Sequence, residues 1–172
     1  NVINAADIFH SPWGFNLAAA RITISTVGIL PKIQQFIKEK QRYKLAISLN
    51  AADDSSRTQI MPVNEKWSIM DLIKAGKEYS NMKKRQVMFE YVLIKGVNDS
   101  KDDAHKLAHL LQGIPCKLNI IPYNETEGIF RRPDEKTIFK FSEILHNRRD
   151  EYRVLIRWSK GQDINAGCGQ LA

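Results

Sequence analysis

Cysteine is scarce in this chain, whose 172 residues include only Cys116 and Cys168. One bridge between them would be too little for the disulfide scaffold of a small secreted domain. Long apolar runs are also missing. No stretch approaches the roughly 20 apolar residues that cross a bilayer, and no basic-then-apolar leader opens the chain. From these absences we expect a cytoplasmic protein without a membrane partner.

The composition is that of a soluble globular protein of one-domain size, with 43% hydrophobic and 26% charged residues. Basic residues outnumber acidic ones, because the sequence has 26 Lys and Arg but 19 Asp and Glu, which gives a net charge of +7. An excess of this size favours a polyanionic partner such as nucleic acid. The competing interpretation is that the basic clusters are ordinary solvated faces and helix ends.

Apolar, β-rich runs alternate with helical patterns along the chain. The strand-like runs are Ile22–Val27, Leu45–Leu49, Val87–Ile94, Leu118–Ile121 and Tyr152–Trp158. Helices are predicted after Ser68 and Ser100, each followed three residues later by Asp, and also from about Asp134, over 2–10 and over 30–40. In the helix after Asp134 we expect Phe139 on the apolar stripe.

Strands that alternate with helices indicate βαβ units and a parallel sheet. Five strands do not close a barrel, and an open first strand would expose unpaired backbone groups. We therefore expect an α/β fold that forms the later part of a larger barrel. Chemistry in such barrels gathers at the carboxyl ends of the strands.

Polar residues stand at these carboxyl ends. The first strand contains Ser25, the second ends in Ser48-Leu49-Asn50, and the fourth is followed by Asn124. Hydroxyl and amide groups that converge on one rim would fix a polar small molecule such as a nucleoside. The alternative is ordinary turn chemistry, since Ser and Asn often begin and end strands for local backbone reasons.

Cys168 lies between Gly167 and Gly169, which allow tight backbone geometry and close approach of a ligand. A thiol in this setting indicates either a reactive group or a flexible glycine-rich tail that happens to contain cysteine. Cys116 lies in a strand-like run and is interpreted as structural. His105 and His109 have the spacing of metal ligands on a helix, but no third ligand follows, so we expect no metal site in this chain.

Five blocks in chain order give the sequence a family resemblance. The blocks are Arg21–Gly28, Leu45–Asn50, Phe89–Leu93 with Gly96–Ser100, Asn119–Asn124 and Gly161–Leu171. Together they resemble the radical SAM adenine-C2 RNA methyltransferases of the RlmN/Cfr family, and more closely the RlmN branch. The match spans the whole chain. It implies that residues 1–172 form the C-terminal part of a radical SAM catalytic domain, the later half of a partial (βα) barrel.

The resemblance also implies residue roles. Cys168 would be the catalytic methyl carrier, taking a methyl group from one S-adenosylmethionine to become S-methylcysteine. A radical generated from a second S-adenosylmethionine at a 4Fe-4S cluster would then activate that methyl for transfer to C2 of adenine. Cofactor contacts would come from Ser25, Ser48, Leu49, Asn50 and Asn124. At the position of Asn50 the family usually has histidine, so the residue here differs but keeps a polar side chain.

The family's CxxxCxxC cluster motif, its GEP segment, its general-base glutamate and its second cysteine have no counterpart in this sequence. We therefore expect the cluster ligands upstream and no turnover by this chain alone. The implied partners are 23S rRNA, with tRNA as a second substrate, and an electron donor such as flavodoxin or ferredoxin. The protein is expected to be a monomer. RNA contacts are predicted at Arg21, Arg131, Arg132, Arg157 and Lys160. The alternative function is a noncatalytic, basic α/β RNA-binding module.

Overall fold

Five parallel strands form one sheet in the order β1-β2-β3-β4-β5, in a computed structural model that describes residues 1–82, 85–125, 128–146 and 152–160. The strands are β1 (Thr23–Thr26), β2 (Lys44–Ser48), β3 (Val87–Leu93), β4 (Cys116–Pro122) and β5 (Tyr152–Ile156). The prediction of five parallel strands alternating with helices is confirmed.

Six α-helices accompany the sheet in the described ranges. They are α1 (Val2–His10), α2 (Leu30–Lys38), α3 (Asp54–Ile60), α4 (Ile69–Asn81), α5 (Lys101–Leu110) and α6 (Glu135–His146). Ser68 and Ser100 cap α4 and α5, and each exchanges hydrogen bonds with the Asp three residues later. These capping boxes satisfy backbone N–H groups that a helix start leaves unpaired, as the sequence predicted.

The strand order determines on which face of the sheet the connecting helices lie. Because βαβ crossovers are almost always right-handed, strands that follow one another in a single direction receive their connecting helices on the same face. Strand residues on this helix-covered face are buried, among them Ile47, Phe89, Leu118 and Val154. Their side chains form the core with the apolar stripes of α2, α4, α5 and α6.

The other sheet face carries the alternate residues, because successive strand side chains point to opposite faces. In β3 the alternation is complete, with Val87, Phe89, Tyr91 and Leu93 buried and the residues between them half-buried. We call this second side the concave face. It is defined by the side chains of Ser25, Ala46, Ser48, Met88, Glu90, Lys117, Asn119, Leu155 and Arg157.

Two details differ from the sequence predictions. Helix α3 was not predicted, because its seven residues, DSSRTQI, carry no apolar stripe. Phe139 was expected inward but is 53% exposed, since Ile138, Phe141 and Leu145 occupy the buried side of α6. The Phe139 ring lies 6.1 Å from that of Trp158 instead.

None of the helices within the described ranges has both the length and the apolar character needed to cross a membrane.

Candidate cofactor-binding face

A hydrogen bond across the concave face joins residues that lie two strands apart. The Ser25 hydroxyl on β1 donates to Oε2 of Glu90 on β3, with an oxygen–oxygen distance of 3.1 Å. Neighbouring strands are spaced about 4.8 Å apart, so this contact passes over β2. On β2 the residues beside this contact, Ala46 and Ser48, carry small side chains and leave room. The contact indicates a sheet that curls toward this face.

Glu90 is the centre of a polar row. Ser48 and Asn119 lie beside it in register on the two neighbouring strands. Nη1 of Arg157, just after β5, lies 3.7 Å from Glu90 Oε1. The concave face therefore offers hydroxyl, carboxylate, amide and guanidinium groups, which together can donate hydrogen bonds to a polar small molecule and accept them from it.

Arg57 joins the carboxyl ends of β1 and β2. Its side chain is fully buried. Nη2 donates to the carbonyls of Val27 and Ser48 at 2.7 and 3.0 Å, and Nε donates to the Leu49 carbonyl at 2.8 Å. Nη1 donates to Oδ1 of Asn64 at 3.1 Å. One side chain on α3 thereby fixes the backbone around the predicted contacts Ser48 and Leu49.

The environment of Arg57 is unusual for a charge. Burial lowers the pKa of its guanidinium, and the nearby carboxylate of Asp54 acts in the opposite direction. Within the described ranges no carboxylate lies within 4.0 Å of Arg57 as an ion pair. Carbonyl and amide oxygens therefore solvate the charge, which the planar fork of arginine allows because its donors diverge in fixed directions.

Asn98 performs a similar task between β2 and β3. Its buried Nδ2 donates to the carbonyls of Asn50 and Val92 at 2.7 and 2.8 Å, and its Oδ1 accepts from the Ile94 N–H at 2.7 Å. All buried side-chain N and O atoms of the described residues have a hydrogen-bond partner. Such satisfied networks hold one geometry, because breaking any member leaves a buried polar group unpaired.

Asn50 adopts a left-handed backbone conformation with φ +58°. Asparagine tolerates this region better than most non-glycine residues, which gives a local reason for its presence after β2. Its Oδ1 accepts from the Val92 N–H at 2.9 Å, and its Nδ2 lies 3.2 Å from the Met61 sulfur. The side chain is therefore committed to the protein on both of its polar atoms.

The predicted cofactor contacts occupy different environments. Ser25 and Ser48 lie on the concave face, whereas Leu49 is fully buried and its side chain belongs to the core. Any contact from Leu49 would have to come from its backbone. Asn124 is 5% exposed just beyond the end of β4. Cys168 lies outside the described residues, so its role stays a prediction.

Four of the five predicted RNA contacts lie at the carboxyl edge of the sheet. Arg131 and Arg132 follow β4, while Arg157 and Lys160 follow β5. The Arg132 guanidinium lies 5.3 Å from the ring centre of Trp158, which is 41% exposed. Arg21 precedes β1 and therefore lies at the opposite, amino edge.

No group of three or more His, Cys, Asp or Glu side chains in the described ranges is arranged to hold a metal ion. Cys116 is buried, and desolvation raises the pKa of its thiol to about 12. A thiol in this state is unreactive at neutral pH, in agreement with a structural role.

Sequence reasoning missed Arg57, Asn98, Asn119 and Glu90 as site residues. Asn98, Asn119 and Glu90 fall inside the blocks that carry the family resemblance, but they received no role there. A carboxylate in the middle of an apolar strand was the available signal for Glu90, because charged groups are costly to bury without partners. Arg57 gave no such signal, since its acceptors lie outside its own helix and one of them is 30 residues away.

Comparison with known proteins shows which enzymes this chain is similar to in sequence. No family model matches the chain. The dual-specificity RNA methyltransferase RlmN of Bdellovibrio bacteriovorus is 44% identical over 99% of this chain and 42% of its own length. RlmN 2 of Myxococcus xanthus is 46% identical over all of this chain and 45% of its own length. Over its whole length the chain matches part of the RlmN enzymes. It spans about half the length of the curated RlmN relatives it matches.

Solved structures agree with this assignment. The crystal structure of a radical SAM methyltransferase from Sphaerobacter thermophilus is 42% identical and superposes with a TM-score of 0.92, over 98% of this chain and 49% of that one. A domain of pyruvate-formate lyase-activating enzyme from Bacteroides vulgatus, 18% identical with a TM-score of 0.61, shares the fold alone. The expected radical SAM type of partial barrel is confirmed.

Proposed function

We propose that this chain is the C-terminal part of the catalytic domain of a radical SAM enzyme that methylates C2 of adenine in 23S rRNA and tRNA. The observation that carries the proposal is the concave face. It brings two predicted S-adenosylmethionine contacts, the hydroxyls of Ser25 and Ser48, next to the carboxylate of Glu90, in a chain 44% identical to a named RlmN enzyme.

The residues present fit S-adenosylmethionine. The cofactor carries ribose hydroxyls and amino groups that donate hydrogen bonds, and ring nitrogens and a carboxylate that accept them. Ser25 and Ser48 can do both, because a hydroxyl is donor and acceptor. Arg57 holds the Ser48 carbonyl and Asn98 holds the Asn50 carbonyl, so the rim is positioned before the cofactor arrives. When bound, the cofactor supplies an electrophilic methyl group on its sulfonium.

Cys168 is proposed as the acceptor of that methyl group. Its thiolate forms a bond to the methyl carbon while the bond from that carbon to the sulfonium breaks, giving S-methylcysteine and S-adenosylhomocysteine. A covalent carrier of this kind divides one difficult transfer into two steps. Adenine C2 is electron-poor and no ordinary nucleophile, which is why direct transfer from the sulfonium is unfavourable.

The residues of this chain do not supply the ligands that an iron–sulfur cluster needs. The sequence holds two cysteines, and the family's cluster motif requires three. The described residues likewise form no candidate metal group. We therefore propose that the ligands of the cluster lie outside this chain, and that an electron donor such as flavodoxin or ferredoxin is a partner of the full-length protein.

RNA would approach at the carboxyl edge of the sheet, where Arg131, Arg132, Arg157 and Lys160 lie. Guanidinium and ammonium groups bind phosphates, and the exposed ring of Trp158 offers a stacking surface for an unpaired base. The enzyme would act in the cytoplasm as a monomer. The noncatalytic RNA-binding alternative is not favoured, because the full-chain relatives are methyltransferases.

The decisive experiment compares Cys168→Ala with Cys116→Ala in the full-length protein. We expect Cys168→Ala to bind RNA normally but to form no 2-methyladenosine, measured by mass spectrometry of digested RNA. Cys116→Ala is the matched control, since it removes the buried thiol and should retain methylation. Undiminished methylation by Cys168→Ala would refute the carrier role.

A further inference from the structure

Glu90 is an ionisable residue in the middle of the sheet. Five of the other six residues of β3 are apolar, and the sixth, Tyr91, is buried. The Glu90 side chain is 16% exposed. A carboxylate in such a place is unfavourable unless it is paired or serves a ligand.

The partners within the described ranges do not saturate this carboxylate. An ionised carboxylate accepts about four hydrogen bonds. Here Oε2 accepts one from Ser25, and Oε1 lies 3.7 Å from Nη1 of Arg157, whose own side chain is 66% exposed. That distance is long for a charge-assisted hydrogen bond. Glu90 therefore retains acceptor capacity on the concave face of the sheet.

We propose that Glu90 binds the ribose hydroxyl groups of S-adenosylmethionine, a role that rests on the proposed function. Its hydrogen bond from Ser25 and its register with Ser48 place it next to two predicted cofactor contacts. Carboxylates near the carboxyl ends of parallel strands bind ribose hydroxyls in other α/β folds, because two oxygens match a diol. Arg157 already supplies positive charge to Glu90, which favours neutral hydroxyls over the cofactor's ammonium group as its ligand.

The test is equilibrium binding by titration calorimetry with the full-length protein. The probes are S-adenosylhomocysteine and its 2′-deoxy and 3′-deoxy analogues. Glu90→Gln keeps the shape and removes the charge, and we expect it to weaken binding of S-adenosylhomocysteine by about 10- to 100-fold. Glu143→Gln, at an exposed position of α6, is the matched control and should bind as the unmodified protein does.

The analogues separate a hydroxyl contact from a structural effect. The unmodified protein should lose affinity for at least one deoxy analogue, whereas Glu90→Gln should bind that analogue and the parent compound almost equally. If Glu90→Gln binds S-adenosylhomocysteine as tightly as the unmodified protein, or keeps the full preference for the hydroxyl, the inference is overturned and the proposed function stands. If the unmodified protein binds none of the three compounds, the proposed function itself fails.

Discussion

Replacing Arg57 by methionine should destabilise the protein strongly. Methionine fills much of the same volume but donates no hydrogen bond, so the carbonyls of Val27, Ser48 and Leu49 lose the donors they now share. Each buried polar group left unpaired costs about 1 to 3 kcal/mol. The methionine variant no longer carries the free-energy cost of burying a charged guanidinium, and this gain offsets part of the sum. We expect a net loss of about 3 to 5 kcal/mol in the free energy of unfolding.

Urea denaturation followed by circular dichroism measures this loss. With a slope of about 2 kcal/mol per molar urea, the midpoint should fall by about 1.5 to 2.5 M. Arg57→Lys should be intermediate, because one ammonium group cannot reach acceptors on opposite sides. Arg153→Met, at an exposed position of β5, is the control and should change stability by about 0.5 kcal/mol or less. If Arg57→Met lies within about 1 kcal/mol of the unmodified protein, hydrogen bonds from Arg57 do not hold the rim.

Other predictions concern neighbouring contacts. Asn98→Ala should lower the unfolding free energy by about 2 to 4 kcal/mol in the same urea assay, because three backbone groups lose partners. Asn50→Gly should be tolerated better than Asn50→Val, since valine is strained at φ +58°; equal melting temperatures would contradict this. The pKa of Asp53 is lowered, first by its hydrogen bond from Lys106, so its stabilising effect is present above the unfolded pKa and fades as the pH falls below about 4. Asp53→Asn should flatten that acid dependence of stability. Arg157→Ala should reduce the salt slope of RNA binding by just under one unit, and an unchanged slope would remove Arg157 from the proposed RNA interface.

The features predicted correctly are those whose cause is local in sequence. Two helix starts could be predicted because both partners of each capping box lie within one turn of the chain. The pairs are Ser68 with Asp71 and Ser100 with Asp103. Alternating apolar runs likewise identify strands without knowledge of their neighbours. The parallel arrangement follows from the helices between the strands, since parallel connections need a crossover.

The features that escaped prediction depend on distant residues. Arg57 is explained by a carbonyl 30 residues earlier, and Glu90 by a hydroxyl 65 residues away. Neither contact leaves a periodic pattern. Helix α3, which carries Arg57, was missed for the same reason, because a seven-residue helix without an apolar stripe resembles a polar loop. The exposed position of Phe139 depends on Trp158, which reaches it only after the chain has returned through β5.

The central claim is that Cys168 carries the methyl group, and isotope labelling tests it directly. The full-length enzyme is incubated with S-adenosylmethionine bearing a deuterated methyl group, and the peptide that contains Cys168 is examined by mass spectrometry. The account predicts one labelled methyl group on Cys168, with its loss when RNA substrate and reductant are added. Methylated adenine formed while Cys168 never carries the label would contradict it.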